Sequence, residues 1–169
     1  IRLLKTYFSK MSEKQKISAL LNRYNIKEFI IFHFAAKYIY KNYPMELRNK
    51  LLVRLNTLNI PIVVTGGTKE LDLQISNELP DLKNVYNFIG KTSIEGYIAL
   101  SDLSLGYIGI DTVNMHISAS QNKRVFAIFG PTLPAVWSPW SNISKIYATK
   151  SYPIQTYDNT TIFQADMPC

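Results

Sequence analysis

A short segment in the second half of the chain brings together a carboxylate, a hydroxyl and an imidazole. Asp111 and Thr112 are adjacent, and His116 lies four residues after Thr112. If a helix begins here, either of the first two residues can cap it, and its amide groups and positive dipole end favour a bound phosphate. Thr112 and His116 then lie one turn apart on one helix face. The alternative is structural, with Asp111 an ordinary cap and His116 an interior histidine.

Two further segments suit an anionic ligand. Gly66-Gly67-Thr68 is a turn whose glycines let the backbone approach a ligand closely, although paired glycines are also common in ordinary turns. Lys41 precedes the opening of a helix, where its ammonium either reaches a pyrophosphate or is simply solvated. Neither segment is specific by itself.

The element that must position these residues is predicted by short apolar runs that alternate with helical patterns. Helices of about ten residues between strands indicate βαβ units and a parallel sheet. Because the runs are continuously apolar, both faces of the sheet are expected to be covered. The sequence thus predicts an α/β fold with a doubly wound, Rossmann-like parallel sheet of about six strands. These strands are predicted at 29–32, 60–65, 84–88, 103–110, 124–129 and 143–148.

Helix starts are predicted from capping residues. Ser12 with Gln15 forms a possible capping box, Pro44 opens a second helix, and Thr68 caps a third. In an open parallel sheet, ligands bind beyond the carboxyl ends of the strands. Polar and glycine residues follow several predicted strands, which places them at one rim: His33, Lys37, Lys41, Gly66, Gly67, Thr68, Asp111, Thr112, Gly130, Pro131 and Thr132.

Length and composition restrict the class of protein. The chain has 169 residues, of which 47% are hydrophobic and 18% charged, so it fits one domain with a real core. Its apolar runs are far shorter than the roughly 20 residues of a membrane span. The single cysteine, Cys169, excludes an intrachain disulfide and a cysteine-rich zinc site. We expect a cytoplasmic domain and, because the chain begins at Ile1, a piece of a longer protein.

The positive charge is concentrated at one end. Of the net charge of +7, +6 belongs to residues 1–27. A nucleic-acid-binding domain would spread its lysines and arginines along a binding face, so we expect no nucleic-acid partner. The basic segment is either a solvated helix or connector, or a contact for an anionic membrane surface. The chain also lacks the glycine fingerprint of NAD and FAD sites and the Walker A motif.

Several of these motifs together resemble glycosyltransferase family 9, the family of ADP-heptose:lipopolysaccharide heptosyltransferases. Asp111-Thr-Val-Asn-Met-His116 is followed by Phe-Gly-Pro-Thr132 and by a Trp-x-Pro that ends at Pro139. Segments 41–44, 62–67 and 90–96 are similar to further family motifs and occur in the family's order. The resemblance covers about residues 28–140.

The resemblance implies one half of a GT-B fold, which has two Rossmann-like domains. This half is the C-terminal domain, which binds the nucleotide sugar, whereas the N-terminal domain receives the acceptor and supplies the catalytic base. We therefore expect no catalytic residue, cofactor or metal in this chain, and an ADP-sugar as substrate. The predicted boundaries are a basic connector or helix at 1–27, a nucleotide-sugar-binding domain at 28–150 and an irregular tail at 151–169.

The family's motifs also imply residue roles. Lys41 would contact the diphosphate, Glu70 the adenosine ribose and Thr92 the adenine. Additional phosphate or loop contacts are expected from Gly66, Gly67, Thr68, Pro131 and Thr132. The residues expected to hold the diphosphate and the sugar are Asp111, Thr112 and His116.

The implied reaction is an inverting transfer of a sugar, expected to be heptose, to a glycolipid acceptor. The product is the lipopolysaccharide core or a related glycan, made at the inner face of the bacterial inner membrane. Three residues depart from the family pattern: Val113 replaces a glycine, Ala35 lies where the family has a glycine-containing loop, and Tyr43 replaces a tryptophan. They leave two alternatives open, a member that uses another nucleotide sugar and a non-catalytic scaffold domain.

Overall fold

The computed structural model describes residues 8–139, 154–157 and 159–164 as strands that alternate with helices. The helices are α1 (Met11–Asn22), α2 (Met45–Asn56), α3 (Glu70–Asn77), α4 (Ile94–Leu103), α5 (Val113–Ser120) and α6 (Pro134–Trp137), and a 3-10 turn spans Ile39–Lys41. The strands are β1 (Ile30–His33), β2 (Ile62–Thr65), β3 (Val85–Asn87), β4 (Gly106–Ile110), β5 (Arg124–Phe129), β6 (Ile154–Tyr157) and β7 (Thr160–Gln164).

The strands form one sheet in the order β3-β2-β1-β4-β5-β7-β6. All neighbouring pairs are parallel except β6 and β7. The predicted α/β fold with a largely parallel sheet is confirmed, and the described residues form seven strands where about six were predicted. The register places His33 beside both Thr65 and Gly109 at the carboxyl ends of three central strands. The strand predicted at 143–148 lies outside the described residues.

Both faces of the sheet are covered, because successive residues of each strand point to opposite sides. Ile31 and Val63 belong to a core cluster with residues of α1, α4 and α5. Their neighbours Phe32 and Val64 belong to a second cluster, with residues of α2 and α3. Each fully buried side chain of this size stabilises the fold by about 1.5–3 kcal/mol relative to exposure. The two cores therefore fix the register that brings the strand ends together.

The basic segment at 1–27 is not a connector over its described part. Ile17 and Leu21 of α1 are buried in the first core cluster, and Lys14 of α1 forms an ion pair with Asp102 of α4 at 2.5 Å. The helix alternative of the prediction thus describes residues 11–22, and the apolar face of α1 packs into the same core cluster as the sheet. Among the described residues, no helix combines the length and apolar character needed to cross a membrane.

The tail was predicted to be irregular, but its described part forms two strands. Ile154–Tyr157 and Thr160–Gln164 form an antiparallel hairpin, and the second strand extends the sheet in parallel with β5. Ile162 is fully buried in the first core cluster. Pro153 and the polar residues of the turn suggested an irregular segment, although apolar residues lie on either side of the turn.

Two predicted helix caps are corrected as well. Ser12 lies inside α1, which has Lys10 as its N-cap, and Thr68 precedes the N-cap of α3, which is Lys69. Neither N-cap side chain accepts a capping hydrogen bond. A carboxylate inside α3 replaces the predicted threonine cap, as described below.

Candidate functional site

A cavity of about 580 Å³ opens at the carboxyl ends of the central strands. The loops after β1, β2, β3 and β4 all contribute to its lining. The strand order reverses between β1 and β4, and open parallel sheets bind ligands at such a switch point. The volume falls within the range of about 300–1,000 Å³ typical of small-molecule sites.

The predicted site residues divide into two groups. Glu70, His116, Pro131 and Thr132 are not among the lining residues, although Thr132 reaches the site through Asp111. Those that line the cavity are Lys41, Gly66, Gly67, Thr68, Thr92, Asp111 and Thr112.

Lys41 and Asp111 form an ion pair across the cavity. The Lys41 ammonium donates to Asp111 Oδ2 at 3.0 Å, and the Thr132 hydroxyl donates to the same oxygen at 2.9 Å. Asp111 is only 7% exposed, so its charge depends on these two partners. The pair ties the loop after β1 to the loop that opens α5. Asp111 therefore positions the lysine rather than capping the helix.

The N-terminus of α5 opens at the cavity. Thr112 is its N-cap by position, but the hydroxyl accepts no capping hydrogen bond and lies 3.5 Å from the Tyr107 hydroxyl. Val113 and Asn114, the first two helical residues, both line the cavity. Because the first amides of a helix have no partner within it, this end presents hydrogen-bond donors and a positive dipole to an anion.

Val113, which replaces a glycine of the family pattern, does not strain the backbone. It is the first residue of α5 and does not have a positive φ angle. Its side chain is 55% exposed and lies in the cavity wall. The substitution therefore acts by adding a side chain to the wall, and not by preventing a glycine-only conformation.

The other two departures have different settings. Ala35 is buried and lines the cavity, whereas the Tyr43 ring packs against Phe34 at 5.4 Å between ring centroids. The side chain of Asn42 accepts a hydrogen bond from the Ala36 amide at 3.1 Å, which holds this loop in place. Tyr43 thus supports the second core cluster, and Ala35 contributes only a small surface to the site.

His116 lies behind the N-terminal turn of α5. Burial lowers its pKa, the Asp111 carboxylate opposes that shift, and the Lys41 ammonium adds to it. These effects place the imidazole within electrostatic range of the ion pair. Thr112 and His116 therefore lie in two environments, with the Thr112 residue at the cavity wall and the half-buried His116 outside the lining.

The glycine turn after β2 is closed by a carboxylate that sequence reasoning missed. Asp72 accepts hydrogen bonds from the Gly67 amide at 2.9 Å and from the Lys69 amide at 3.0 Å. A Cβ at Gly67 would lie 2.9 Å from Asp72 Oδ2, so the glycine permits this close approach. Asp72 is the third residue of α3, a position where acidic residues commonly cap. The Gly67 amide is therefore already occupied by an internal anion, against the expectation of a phosphate contact.

Glu70 and Thr92 lie on the side of the cavity toward β3. Glu70 is exposed and opens α3, between Lys69 and Leu71, which both line the cavity. Thr92 lines it too, and its neighbour Ser93 caps α4 by accepting from the Gly96 amide at 3.1 Å. The capped start of α4 thus keeps Thr92 at the cavity wall, whereas Glu70 lies just outside the cavity.

The floor of the cavity contains His33, which was predicted at the rim without a role, and Asn114, which was not predicted. His33 ends β1 and is 6% exposed, and its Nδ1 lies 3.0 Å from Thr65 Oγ1 and 3.1 Å from Asn114 Nδ2. Burial lowers the pKa of His33 to about 4, although the Asp72 charge and the backbone of Thr65 and Ala35 oppose the shift. A polar residue at a strand end was the available signal for His33, whereas nothing in the spacing indicated Asn114.

The chain is similar to proteins of a known family. The family model of Glycosyltransferase family 9 (heptosyltransferase) matches residues 4–165. Lipopolysaccharide heptosyltransferase 3 of Escherichia coli K12 is 27% identical over 139 residues, which are 79% of this chain and 40% of that protein. The chain thus spans about two fifths of the length of this relative.

Solved structures share the fold. A glycosyl transferase family 9 protein from Veillonella parvula DSM 2008 superposes with a TM-score of 0.73 at 15% identity, over 94% of this chain and 42% of that one. E. coli heptosyltransferase WaaC with ADP gives a TM-score of 0.67 at 18% identity, over 90% and 42% of the two chains.

Proposed function

The chain belongs to glycosyltransferase family 9, and on this basis we propose that it is the nucleotide-sugar-binding half of an inverting glycosyltransferase. We propose ADP-heptose as the nucleotide sugar and the lipopolysaccharide core or a related glycan as the product. The supporting observation is the cavity at the sheet's switch point, where Lys41 and the N-terminus of α5 meet. A lysine beside an uncapped helix start suits a diphosphate.

The proposed binding mode runs across the strand ends. The diphosphate lies between Lys41 and the first amides of α5, with Thr112 beside it. The adenine lies toward Thr92 and the ribose toward Glu70. Gly66 and Thr68 border the ligand, and His116 acts from behind the first turn of α5.

The chemistry follows from the charge that develops during transfer. The bond between the sugar's anomeric carbon and the diphosphate breaks, and the electron pair stays on the diphosphate oxygen. Lys41 and the α5 dipole stabilise that negative charge as it forms. Attack by the acceptor hydroxyl on the opposite face inverts the configuration, and its proton goes to a base that we place in the other half of the protein.

The proposal includes no metal requirement, since Lys41 and the α5 N-terminus supply positive charge at the leaving group. A chelator therefore leaves nucleotide affinity unchanged in this proposal. A loss of affinity on adding EDTA that magnesium restores would contradict this part.

The acceptor is a glycolipid, which we place against the other half of the protein. Contact with the inner membrane surface would use the basic residues near the N-terminus. Within the described part, Lys14 and Lys16 already pair with Asp102 and Glu13. We therefore expect only weak binding to vesicles that contain anionic lipid, and loss of that binding at high salt.

Calorimetry on the chain with ADP, UDP and GDP tests the binding proposal. We expect ADP to bind most tightly, and Lys41→Met to weaken ADP binding about ten-fold or more, since a hydrogen bond to a charged group is worth about 1.5–3 kcal/mol. The matched control is Lys50→Met, because Lys50 forms an exposed pair with Glu46 on α2 away from the cavity. Preferred binding of UDP or GDP would favour another nucleotide sugar, and no binding at all would favour the scaffold alternative.

A further inference from the structure

Tyr107 lies in β4 with its ring in the first core cluster and its hydroxyl at the turn that leads to α5. The residue is fully buried, and a buried hydroxyl needs a hydrogen-bond partner. The hydroxyl donates to the Ile110 carbonyl at 2.8 Å and lies 3.5 Å from Thr112 Oγ1. These two residues flank Asp111 in the sequence. One buried hydroxyl therefore contacts the residue before and the residue after the carboxylate that pairs with Lys41.

The strand makes space for this contact at Gly109. Residues 107 and 109 face the same side of β4, because side chains alternate along a strand. A Cβ at Gly109 would lie 2.6 Å from the Tyr107 hydroxyl oxygen and 2.8 Å from the ring carbon that carries it. The tyrosine side chain thus lies along the strand toward its carboxyl end, over a residue that has no side chain of its own. A side chain at position 109 would take the place of the hydroxyl.

The Tyr107 hydroxyl keeps its proton, because burial raises the pKa of Tyr107 well above its ordinary value. That one proton is donated to the Ile110 carbonyl, so the Tyr107 oxygen can only accept from Thr112. The Thr112 side chain accepts no capping hydrogen bond from α5. Among the hydrogen bonds of the described residues, none is donated by the backbone amides of Val113 and Asn114, so these amides stay available to an anion in the cavity.

The carboxylate between these two contacts depends on the turn for its direction. Asp111 Oδ2 accepts from Lys41 at 3.0 Å and from Thr132 at 2.9 Å, and neither bond holds the backbone of the turn itself. We infer that Tyr107 is a positioning residue of this site, whose hydroxyl fixes the turn at 110–112 and so orients Asp111 toward Lys41. A role in nucleotide binding follows from this and rests on the proposed function, whereas the effect on the ion pair requires no ligand.

A double-mutant cycle on the full chain tests the effect on the ion pair. Tyr107→Phe removes the hydroxyl and keeps the ring, so the core stays filled. Urea unfolding measures the loss of stability that Lys41→Met causes in the unaltered chain and in the Tyr107→Phe chain. If the hydroxyl orients Asp111, the loss in the Tyr107→Phe chain is less than half of the loss in the unaltered chain, because residues that act through one network are not additive. Additive losses overturn the inference.

Ser101→Ala is the matched control, since it removes another buried hydroxyl contact, of 2.9 Å to Ser118, between α4 and α5. The loss of stability caused by Lys41→Met should be unchanged in the Ser101→Ala chain. If Tyr107 had only a structural role, the two backgrounds would give the same result. A reduced loss in both backgrounds also overturns the inference, because it shows a general loosening of the domain.

Calorimetry with ADP and inorganic pyrophosphate tests the effect on the ligand. Tyr107→Phe should weaken the binding of both about three-fold to ten-fold, as for the loss of one buried hydrogen bond, and should add little to the weakening caused by Lys41→Met. Ser101→Ala should leave both affinities unchanged. Unchanged affinities in Tyr107→Phe overturn the role in binding and leave the proposed function in place. If the unaltered chain binds neither ligand, the proposed function and the role in binding both fail, and the urea cycle alone decides the effect on the ion pair.

Discussion

The Lys41 ammonium lies 3.0 Å from the Asp111 carboxylate, although the two residues are 70 positions apart in the sequence. The parallel register of β1 and β4 makes this contact possible, because it places both following loops at one edge of the sheet. Asp111 is buried and Lys41 is partly exposed toward the cavity. The lysine is therefore already oriented by the protein before any ligand arrives.

This pair predicts a stability effect that is separate from nucleotide binding. Asp111 Oδ2 accepts from Lys41 and from Thr132, and Lys41→Met removes the first of these two donors. Because the carboxylate is buried, we expect the free energy of unfolding to fall by about 1–3 kcal/mol. Urea unfolding followed by circular dichroism measures it. Adding Asp111→Asn should recover part of the loss, because the buried charge is removed as well.

Lys50→Met provides the matched control for that measurement. Lys50 pairs with Glu46 one turn away on the exposed face of α2, and such pairs contribute about 0.3–0.5 kcal/mol. If Lys41→Met and Lys50→Met lower the free energy of unfolding equally, the burial of Asp111 does not govern the energy of the Lys41–Asp111 ion pair.

Gly109 provides a second prediction, about the strand that ends at the site. A Cβ at this position would collide with the His33 carbonyl oxygen and lie 2.6 Å from the Tyr107 hydroxyl. That hydroxyl donates to the Ile110 carbonyl at 2.8 Å, so it cannot move away without losing a buried hydrogen bond. We expect Gly109→Ala to reduce the free energy of unfolding by about 2 kcal/mol or more.

Gly130 is the natural comparison, since it follows the adjacent strand β5 and a Cβ there would meet nothing within 4 Å. Thermal unfolding of Gly130→Ala should differ from that of the unaltered chain by about 0.5 kcal/mol or less. A similar loss in both variants would mean that Gly109 is required for some reason other than the contact with Tyr107.

The sequence predicts the sheet well because the signal is local. Continuous apolar runs such as 29–32 and 124–129 are bounded by polar residues or glycine, and the structure has strands in both places. The hairpin at the end of the chain escaped prediction for a physical reason. Its β7 strand is stabilised by pairing with β5, and Val125, the first partner of Thr160, is 35 residues earlier, so no local pattern records the contact.

Several residues predicted at the rim of the sheet line the cavity, but the contacts between them were not predicted. Strand ends and the family resemblance indicated Lys41 and Asp111, yet their ion pair depends on the register of two strands. Asp72 was missed because its role is to hold a turn five residues before it, where it accepts from the Gly67 amide. Side-chain hydrogen bonds of this kind are decided by geometry that residue type alone does not specify.

The buried histidine predicts how stability depends on pH. The pKa of His33 is lowered from 6.5 to about 4 in the folded chain, chiefly by burial. Between these values the unfolded chain binds the proton more tightly, so stability is fully present above pH 6.5 and is lost as pH falls toward 4. The shift corresponds to about 3 kcal/mol. Urea unfolding between pH 4 and pH 7 measures it.

His116 must be separated from this effect, because burial lowers its pKa too. We expect His33→Gln to flatten most of the pH dependence in this range, and His116→Gln to flatten a smaller part. If the pH dependence survives in His33→Gln and disappears in His116→Gln, the buried floor histidine is not its source.

Substitutions of the two acidic residues of α3 should have different effects on stability and on ligand binding. Glu70 is exposed at the edge of the cavity, whereas Asp72 accepts from two backbone amides of the glycine turn. We expect Asp72→Ala to lower the free energy of unfolding by about 1 kcal/mol, as for other lost helix caps, and Glu70→Ala to leave it unchanged.

Binding should show the opposite order for a ligand that contains ribose. If Glu70 accepts hydrogen bonds from the ribose hydroxyls, Glu70→Ala weakens ADP binding several-fold and leaves the affinity for inorganic pyrophosphate as it is. Parallel calorimetric titrations with the two ligands make the comparison, and Glu70→Gln keeps the size of the side chain as a control for volume. Equal weakening of both ligands would place Glu70 at the diphosphate instead, and no change in either would remove it from the site.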